Sequence, residues 1–235
     1  MVRPSTNLCG GFYDNGSSAI QTVRSMFLNR LDAAHQLAKA LKKYQGQHPL
    51  VLAIPRGAVP MGLALAKALD ASFDVVLVRK LSAPLQPELA IGSVDENGWA
   101  YLSPEVAAMG LQAPYIQAEI ERQMETLKAR QKQYRQVLSH VTVKDQLVIV
   151  VDDGLATGAT MQSALRATRQ QGPRHLVCAV PVASPRALHQ VQALADDTVC
   201  LLAPQDFMAV GQYYRDFAQV DDAQVLAMLA DHARS

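Results

Sequence analysis

Four apolar residues, Val148-Ile149-Val150-Val151, run directly into Asp152-Asp153-Gly154, and the chain continues Leu155-Ala156-Thr157-Gly158-Ala159-Thr160. A buried strand of this kind delivers two adjacent carboxylates to the C-terminal edge of a sheet. Gly154 lets the chain turn, and Ala156–Thr160 wraps into the start of a helix. There the unpaired backbone N–H groups and the helix dipole favour an anion, most naturally a phosphate monoester. Thr157 and Thr160 add hydroxyl donors, and Gly158 removes the side chain that would block close approach. No lysine follows, which separates the loop from the Walker type that cradles nucleoside triphosphates. Two carboxylates beside a phosphate cradle would repel a bare polyanion. They suit sugar hydroxyls, from which they accept hydrogen bonds, with magnesium nearby. A phosphate at one end and a vicinal diol at the other describe ribose 5-phosphate.

Paired aspartates after a strand also occur in phosphatases and response regulators, and the Thr-Gly turn could be an incidental helix cap. With Gly-x-x-Thr-Gly-x-Thr following, however, Val148–Thr160 resembles the signature of the type I phosphoribosyltransferases at every informative position. Ile54-Pro55-Arg56-Gly57-Ala58 stands where that family carries its pyrophosphate loop, after the first core strand and before a helix. The resemblance implies that Asp152, Asp153 and Arg56 are catalytic, and that Arg56 grips the diphosphate bidentately. It further implies substrate binding by Pro55, Gly57, Gly154, Ala156, Thr157, Gly158, Ala159 and Thr160. Magnesium (Mg2+) is the implied cofactor, held indirectly by Asp152 and Asp153 through ribose hydroxyls or water. Arg79-Lys80 resembles the basic pair that precedes the family's mobile hairpin, one contacting pyrophosphate and the other solvated or paired with an acid. In the hairpin, Glu88 is a candidate base, although a lone loop carboxylate is more often solvated.

The run from Met26 to the C-terminus is similar to a group of predicted phosphoribosyltransferases of unassigned acceptor, through Pro55-Arg56-Gly57, Val78–Pro84 and Glu88–Gly92. The implied reaction joins phosphoribosyl pyrophosphate (PRPP) to a small-molecule nitrogen acceptor and releases pyrophosphate. Phe207, with Tyr213 and Tyr214, resembles the base-stacking segment of purine-salvage members; the same residues could instead be an aromatic patch sealing the core. The rival functions are a module that senses PRPP or a nucleotide without turnover, and a hydrolase or phosphorylase of a phosphoribosyl compound.

The elements that must position these residues alternate. Strands are read at Leu50–Ile54, Phe73–Val78, Leu147–Val151, Leu176–Val182 and Thr198–Leu202. Helices are read from Met26, with Phe27, Leu31, Ala34, Ala38 and Leu41 on one face, and at Ala58–Leu69 and Ala159–Gln171. Others open at Ser184 and about Asp222. Continuous apolar strands joined by helices describe an α/β fold, a mostly parallel sheet flanked by helices. One segment, 80–140, breaks the alternation. Ala90–Val94 and Trp99–Leu102 flank an Asn97-Gly98 turn, and Ile116–Leu138 reads as one long amphipathic helix. This hairpin-plus-helix insertion is expected to act as a lid over the site, and 203–235 as a small C-terminal hood. Residues 1–25, rich in Gly, Ser and Asn, read as a flexible extension, so that translation could start at Met1 or at Met26.

Composition sets the outer bounds. The chain has 235 residues, 49% hydrophobic and 18% charged, enough apolar material for one domain with a real core. Its formal charge of +1 excludes a global basic field of the kind that wraps nucleic acid. Any charged ligand must be met by a few local residues. Cys9, Cys178 and Cys200 form no CxxC, and the latter two sit in apolar runs as expected of buried reduced thiols. No histidine pairing suggests zinc. No apolar stretch spans a bilayer and no signal-peptide core is visible, so no membrane partner, a cytoplasmic location and a homodimer are expected.

Overall fold

The computed structural model describes residues 27–107 and 109–234, without the side chains of Pro87, Glu88, Glu105 and Ala107. The N-terminal extension, Cys9, Met26 and the Glu88 carboxylate therefore lie outside the described residues. Five parallel strands form the main sheet in the order β2-β1-β6-β7-β8, with β1 Leu50–Ala53, β2 Ser72–Val75, β6 Leu147–Val151, β7 His175–Val182 and β8 Asp197–Leu202. Both faces are covered, which is why these strands are continuous apolar runs. Alternation along each strand divides the core in two. Val51, Ala53, Ile149, Val151, Val177 and Ala179 pack on the face of α1 (Arg30–Ala40), α2 (Val59–Leu69) and α6 (Asp222–Ala233). Leu50, Leu52, Val148, Val150, Leu176 and Cys178 pack under α4 (Ala159–Gln170) and α5 (Pro185–Gln192). Cys178 and Cys200 are buried thiols, neither of them in a disulfide. Strand order reverses between β1 and β6, so the chain leaves their C-terminal ends in diverging directions and opens a crevice there.

Three elements depart from the sequence reading. The apolar run Phe73–Val78 is not one strand. The main sheet ends at Val75, and Val78–Ala83 starts β3 of a separate antiparallel sheet with β4 (Gln86–Asp95) and β5 (Ala100–Leu102). Apolarity continues through the break because Val76 and Leu77 are buried too, so periodicity carried no sign of it. Arg79-Lys80 consequently sits within β3 rather than at the end of a core strand. The first helix starts at Arg30, where the Asn29 side chain accepts from the N–H groups of Leu31 and Asp32, both at 3.0 Å. Its buried face is Ala33, Ala34 and Leu37, leaving Leu31 exposed. Phe27 instead bridges to Tyr214 through its N–H on Tyr213 O at 2.8 Å. The long helix α3 runs Ala113–Tyr134, shorter at its end than 116–138.

The expected Asn97-Gly98 turn is present, with Gly98 at φ 86° and the Asp95 carboxylate accepting from Asn97 N–H and Trp99 N–H at 2.9 Å. The inserted sheet is fastened to α3 by polar contacts. Buried Glu119 accepts from Ser82 N–H (3.1 Å) and Gln123 (3.0 Å), and Tyr115 donates to Ser82 O (2.8 Å). Burial raises the Glu119 carboxyl, but Ser82 N–H, Arg122 and Gln123 outweigh it and hold it below its usual range. At its far end α3 is tied to the main sheet. Asp74 of β2, almost fully buried, accepts from Arg135 at 2.6 Å and from Val141 N–H at 3.0 Å.

Candidate active site

The crevice between β1 and β6 gathers the residues singled out from the sequence. After β6, Asp152 and Asp153 lead into a loop fixed by Leu155 N–H on Val182 O (2.9 Å) and by the Ser184 hydroxyl on Ala156 O (2.7 Å). Gly158, at φ 74°, caps α4 in the left-handed region that other residues enter at a cost. The result is a small cavity of about 190 Å³, lined by Asp152, Gly154 and Ala156–Thr160, with Val210 of the hood as its far wall. Backbone amides at the start of α4 and the Thr157 and Thr160 hydroxyls surround it, a setting suited to a phosphate-sized anion.

The loop after β1 stands beside it. Ile54 N–H bonds to Val151 O at 3.1 Å, and the Pro55–Arg56 peptide is cis. Gly57 is in direct contact with the aspartate loop: a Cβ there would lie 2.2 Å from Asp153 Oδ2. Only glycine allows the two loops this approach. A second cavity of about 560 Å³ opens here, and four guanidinium groups line it, those of Arg30, Arg56, Arg79 and Arg130. The hood supplies Phe217, Gln219 and Val220 to its wall, and Asp222 of α6 pairs with Arg56 at 3.3 Å and approaches Arg130 at 3.9 Å. Because successive strand residues point to opposite faces, β3 divides its basic pair. Arg79 joins Arg56 in this cavity, held by its Nε on Gln123 Oε1 at 2.9 Å, while Lys80 lines a different one.

Arg30 was not singled out from the sequence. It lies at the first turn of α1, a helix whose only visible signal was an apolar face. Its Nε and Nη2 reach Asp153 Oδ2 at 2.9 and 2.8 Å, its Nη1 donates to Ala218 O at 2.7 Å, and its guanidinium lies 3.9 Å from the Phe217 ring centre. Arg30 thus ties helix, aspartate loop and hood together. Burial pushes the Asp152 carboxyl well above the usual carboxylate range, and the neighbouring Asp153 charge adds to this. Burial also raises Asp153, and the Arg30 guanidinium opposes that rise.

Of the two readings of the aromatic segment, the patch that seals the core describes Tyr213 and Tyr214. Tyr213 and Tyr214 are buried, so their rings belong to the core. The Tyr214 hydroxyl donates to Asp153 O at 2.6 Å and supports the aspartate loop from behind. Phe207 lies against Tyr213, ring centres 5.6 Å apart, and lines neither cavity; the hood ring that does is Phe217. Among the described residues, no group of three or more His, Cys, Asp or Glu side chains is placed to hold a metal ion, and no helix is long and apolar enough to cross a membrane.

The sequence profile of the phosphoribosyl transferase domain matches residues 25–218. The chain belongs to this family. Two Mycobacterium tuberculosis proteins, named "Putative phosphoribosyl transferase Rv0571c" and "Putative phosphoribosyl transferase MT0597", are each 38% identical to this phosphoribosyl transferase domain over 205 residues, or 87% of the chain. The match is 46% of each relative, so the chain spans about half their length. Among solved structures, TT1426 from Thermus thermophilus is 44% identical with a TM-score of 0.81, covering 88% of this chain and 98% of that one. The Ala156–Thr160 cavity, the paired aspartates and the four arginines fall within the matched span, and Gln219 and Val220 of the arginine cavity lie just beyond it.

Proposed function

We propose that the chain transfers the ribose 5-phosphate of PRPP to a nitrogen acceptor and releases pyrophosphate. The observation that carries this reading is the meeting of the two loops at the β1/β6 crevice. A phosphate-sized cradle lies on one side of Asp152-Asp153, and a four-arginine cavity lies on the other. The order phosphate, diol, diphosphate along the donor corresponds to cradle, carboxylates, arginines. In the transfer, a C–N bond forms at the anomeric carbon and the C–O bond to pyrophosphate breaks. The bonding pair leaves with pyrophosphate, and the acceptor's proton passes to solvent.

Each side chain then has a defined task. Backbone amides of Ala156–Thr160 hold the 5-phosphate, and Asp152 and Asp153 accept from the ribose hydroxyls and steady a sugar that becomes cation-like as the leaving group departs. Arg56 and Arg79 take up charge that develops on pyrophosphate. The carboxylate pair is a hard oxygen donor set of the type magnesium takes, although Asp153 already accepts from Arg30. Magnesium bound beside Asp152 would supply further neutralisation of the diphosphate. Phe217 and Gln219 close the hood side of the arginine cavity.

The test is pyrophosphate release from PRPP and magnesium across a panel of purines, pyrimidines and amines. Acceptor-dependent release that disappears in Asp153→Ala supports the transferase. Saturable PRPP binding with no release for any acceptor would overturn it in favour of a sensor, and release without any acceptor would favour a hydrolase.

A further inference from the structure

Two adjoining cavities follow α4 from its first turn toward its end, between the inserted sheet and the body of the molecule. They measure about 300 and 430 Å³ and share Tyr101 and Arg166 as common wall. Their chemistry differs. The first, nearer the phosphate cradle, is lined by Lys80 and Arg166 and by Ser93, Ser103 and Ser163, with no carboxylate among the described residues that line it. The second is aromatic. Trp99 and Tyr101 lie within 26° of parallel at 6.5 Å, and the Arg166 guanidinium stands 4.2 Å from the Tyr101 ring centre. Among the described residues its one lining carboxylate, Asp196, is paired with Arg169 at 3.0 Å.

We propose that this cleft binds a mononucleotide, with phosphate among Lys80, Arg166 and the serines and the base against Trp99 and Tyr101. A bare phosphate would leave the aromatic half unused. An aromatic amino acid would bring an ammonium group into a cleft whose one carboxylate among the described residues, Asp196, is paired with Arg169. A cleft at the junction of an insertion and a main sheet, part apolar and part cationic, is a common form of small-molecule site, and its volume suits a ligand of this size. Stacking on tryptophan is tolerant of base identity, so the site discriminates phosphorylated from unphosphorylated ligands more than one base from another. Ala159 lines both this cleft and the phosphate cradle, and α4 supplies residues to each. Occupancy would therefore bias donor binding, and donor would bias nucleotide binding by the same factor. The binding itself does not depend on the transferase reading.

Trp99 is the only tryptophan in the chain, so its emission reports on this cleft directly. The intact protein is titrated with AMP, GMP, UMP and CMP, following tryptophan fluorescence with calorimetry in parallel. Inorganic phosphate and the free nucleosides serve as half-ligands. The expected result is a saturable emission change with at least one nucleotide, each half-ligand binding more weakly. The change should persist in Asp153→Ala and weaken about tenfold in Arg166→Ala, the scale of a lost cation–aromatic contact with a phosphate partner. Tyr101→Leu should weaken it as well, and Arg166→Lys, which keeps the charge, should fall between. Circular dichroism verifies that each variant is folded. No binding of any nucleotide by either readout overturns the proposal. So does binding that PRPP displaces fully while Arg166→Ala and Tyr101→Leu leave it unchanged, since that places the nucleotide in the donor cradle. Neither result alters the pyrophosphate assay, which tests the donor site separately.

Discussion

Arg30 and Gly57 set the working state of Asp153 from two sides. Arg30 reaches Asp153 Oδ2 through two nitrogens, with both side chains largely enclosed, and it opposes the upward push of burial on that carboxyl. Removing the cation in Arg30→Gln should raise the Asp153 pKa further. A carboxylate is needed to accept from a sugar hydroxyl, so activity is lost as pH falls through that pKa. The acid limb of the pH profile for kcat/KM should therefore move to higher pH in Arg30→Gln and recover partly in Arg30→Lys. An unchanged acid limb would mean that Arg30 serves the fold alone. Gly57→Ala forces a methyl group toward Asp153 Oδ2, and donor affinity should fall at least tenfold by calorimetry. The double variant with Asp153→Ala should show no further loss beyond Asp153→Ala itself, because the clash is then gone.

At the scale of elements, Asp74 connects the insertion to the main sheet. The carboxylate is almost fully buried on β2, yet Arg135, His140 and Val141 N–H all converge on it from the segment that follows α3. Asp74→Ala leaves the Arg135 guanidinium and the Val141 amide without this partner and should destabilise the protein by about 3–5 kcal/mol, read from denaturant unfolding. Asp74→Asn, which can still accept from Val141 N–H, should lose less. β3 shows how an element decides what its residues face. Arg79 and Lys80 are neighbours in sequence, but strand alternation sends one to the arginine cavity at the β1/β6 crevice and the other to the cleft along α4. Arg79→Ala should accordingly weaken donor binding more than Lys80→Ala, which can be measured by PRPP titration of the two variants.

The whole molecule is a doubly covered parallel sheet with its crevice at the point where strand order reverses, and a smaller antiparallel sheet set against α3 and α4. β1 and β6 are buried on both faces, whereas the inserted sheet exposes Leu85 and Leu89 along its outer hairpin. Amides of β1, β6 and β7 should exchange most slowly with deuterium, and those of β3–β5 measurably faster. PRPP should add protection at 54–57 and 154–160, the two loops that meet in the crevice. Protection confined to the inserted sheet would place the donor elsewhere.

Much of the proposed cradle was legible in the sequence because its parts are contiguous. A buried strand, two aspartates, a glycine turn and a helix start lie within Val148–Thr160, and backbone geometry leaves such a run few alternatives. Pro55-Arg56-Gly57 was legible for the same reason, as was the alternation of strand and helix that places both loops on one sheet edge. What depends on residues far apart in the chain was decided by tertiary structure alone. Arg30 meets Asp153 across 123 positions, and nothing local marks an arginine at a first helical turn as a partner of a distant loop. The break after Val75, the inward turn of Tyr213 and Tyr214 and the place of Phe217 in the wall of the arginine cavity are of the same kind. In each, burial against another element overrode a local pattern that read equally well in another way.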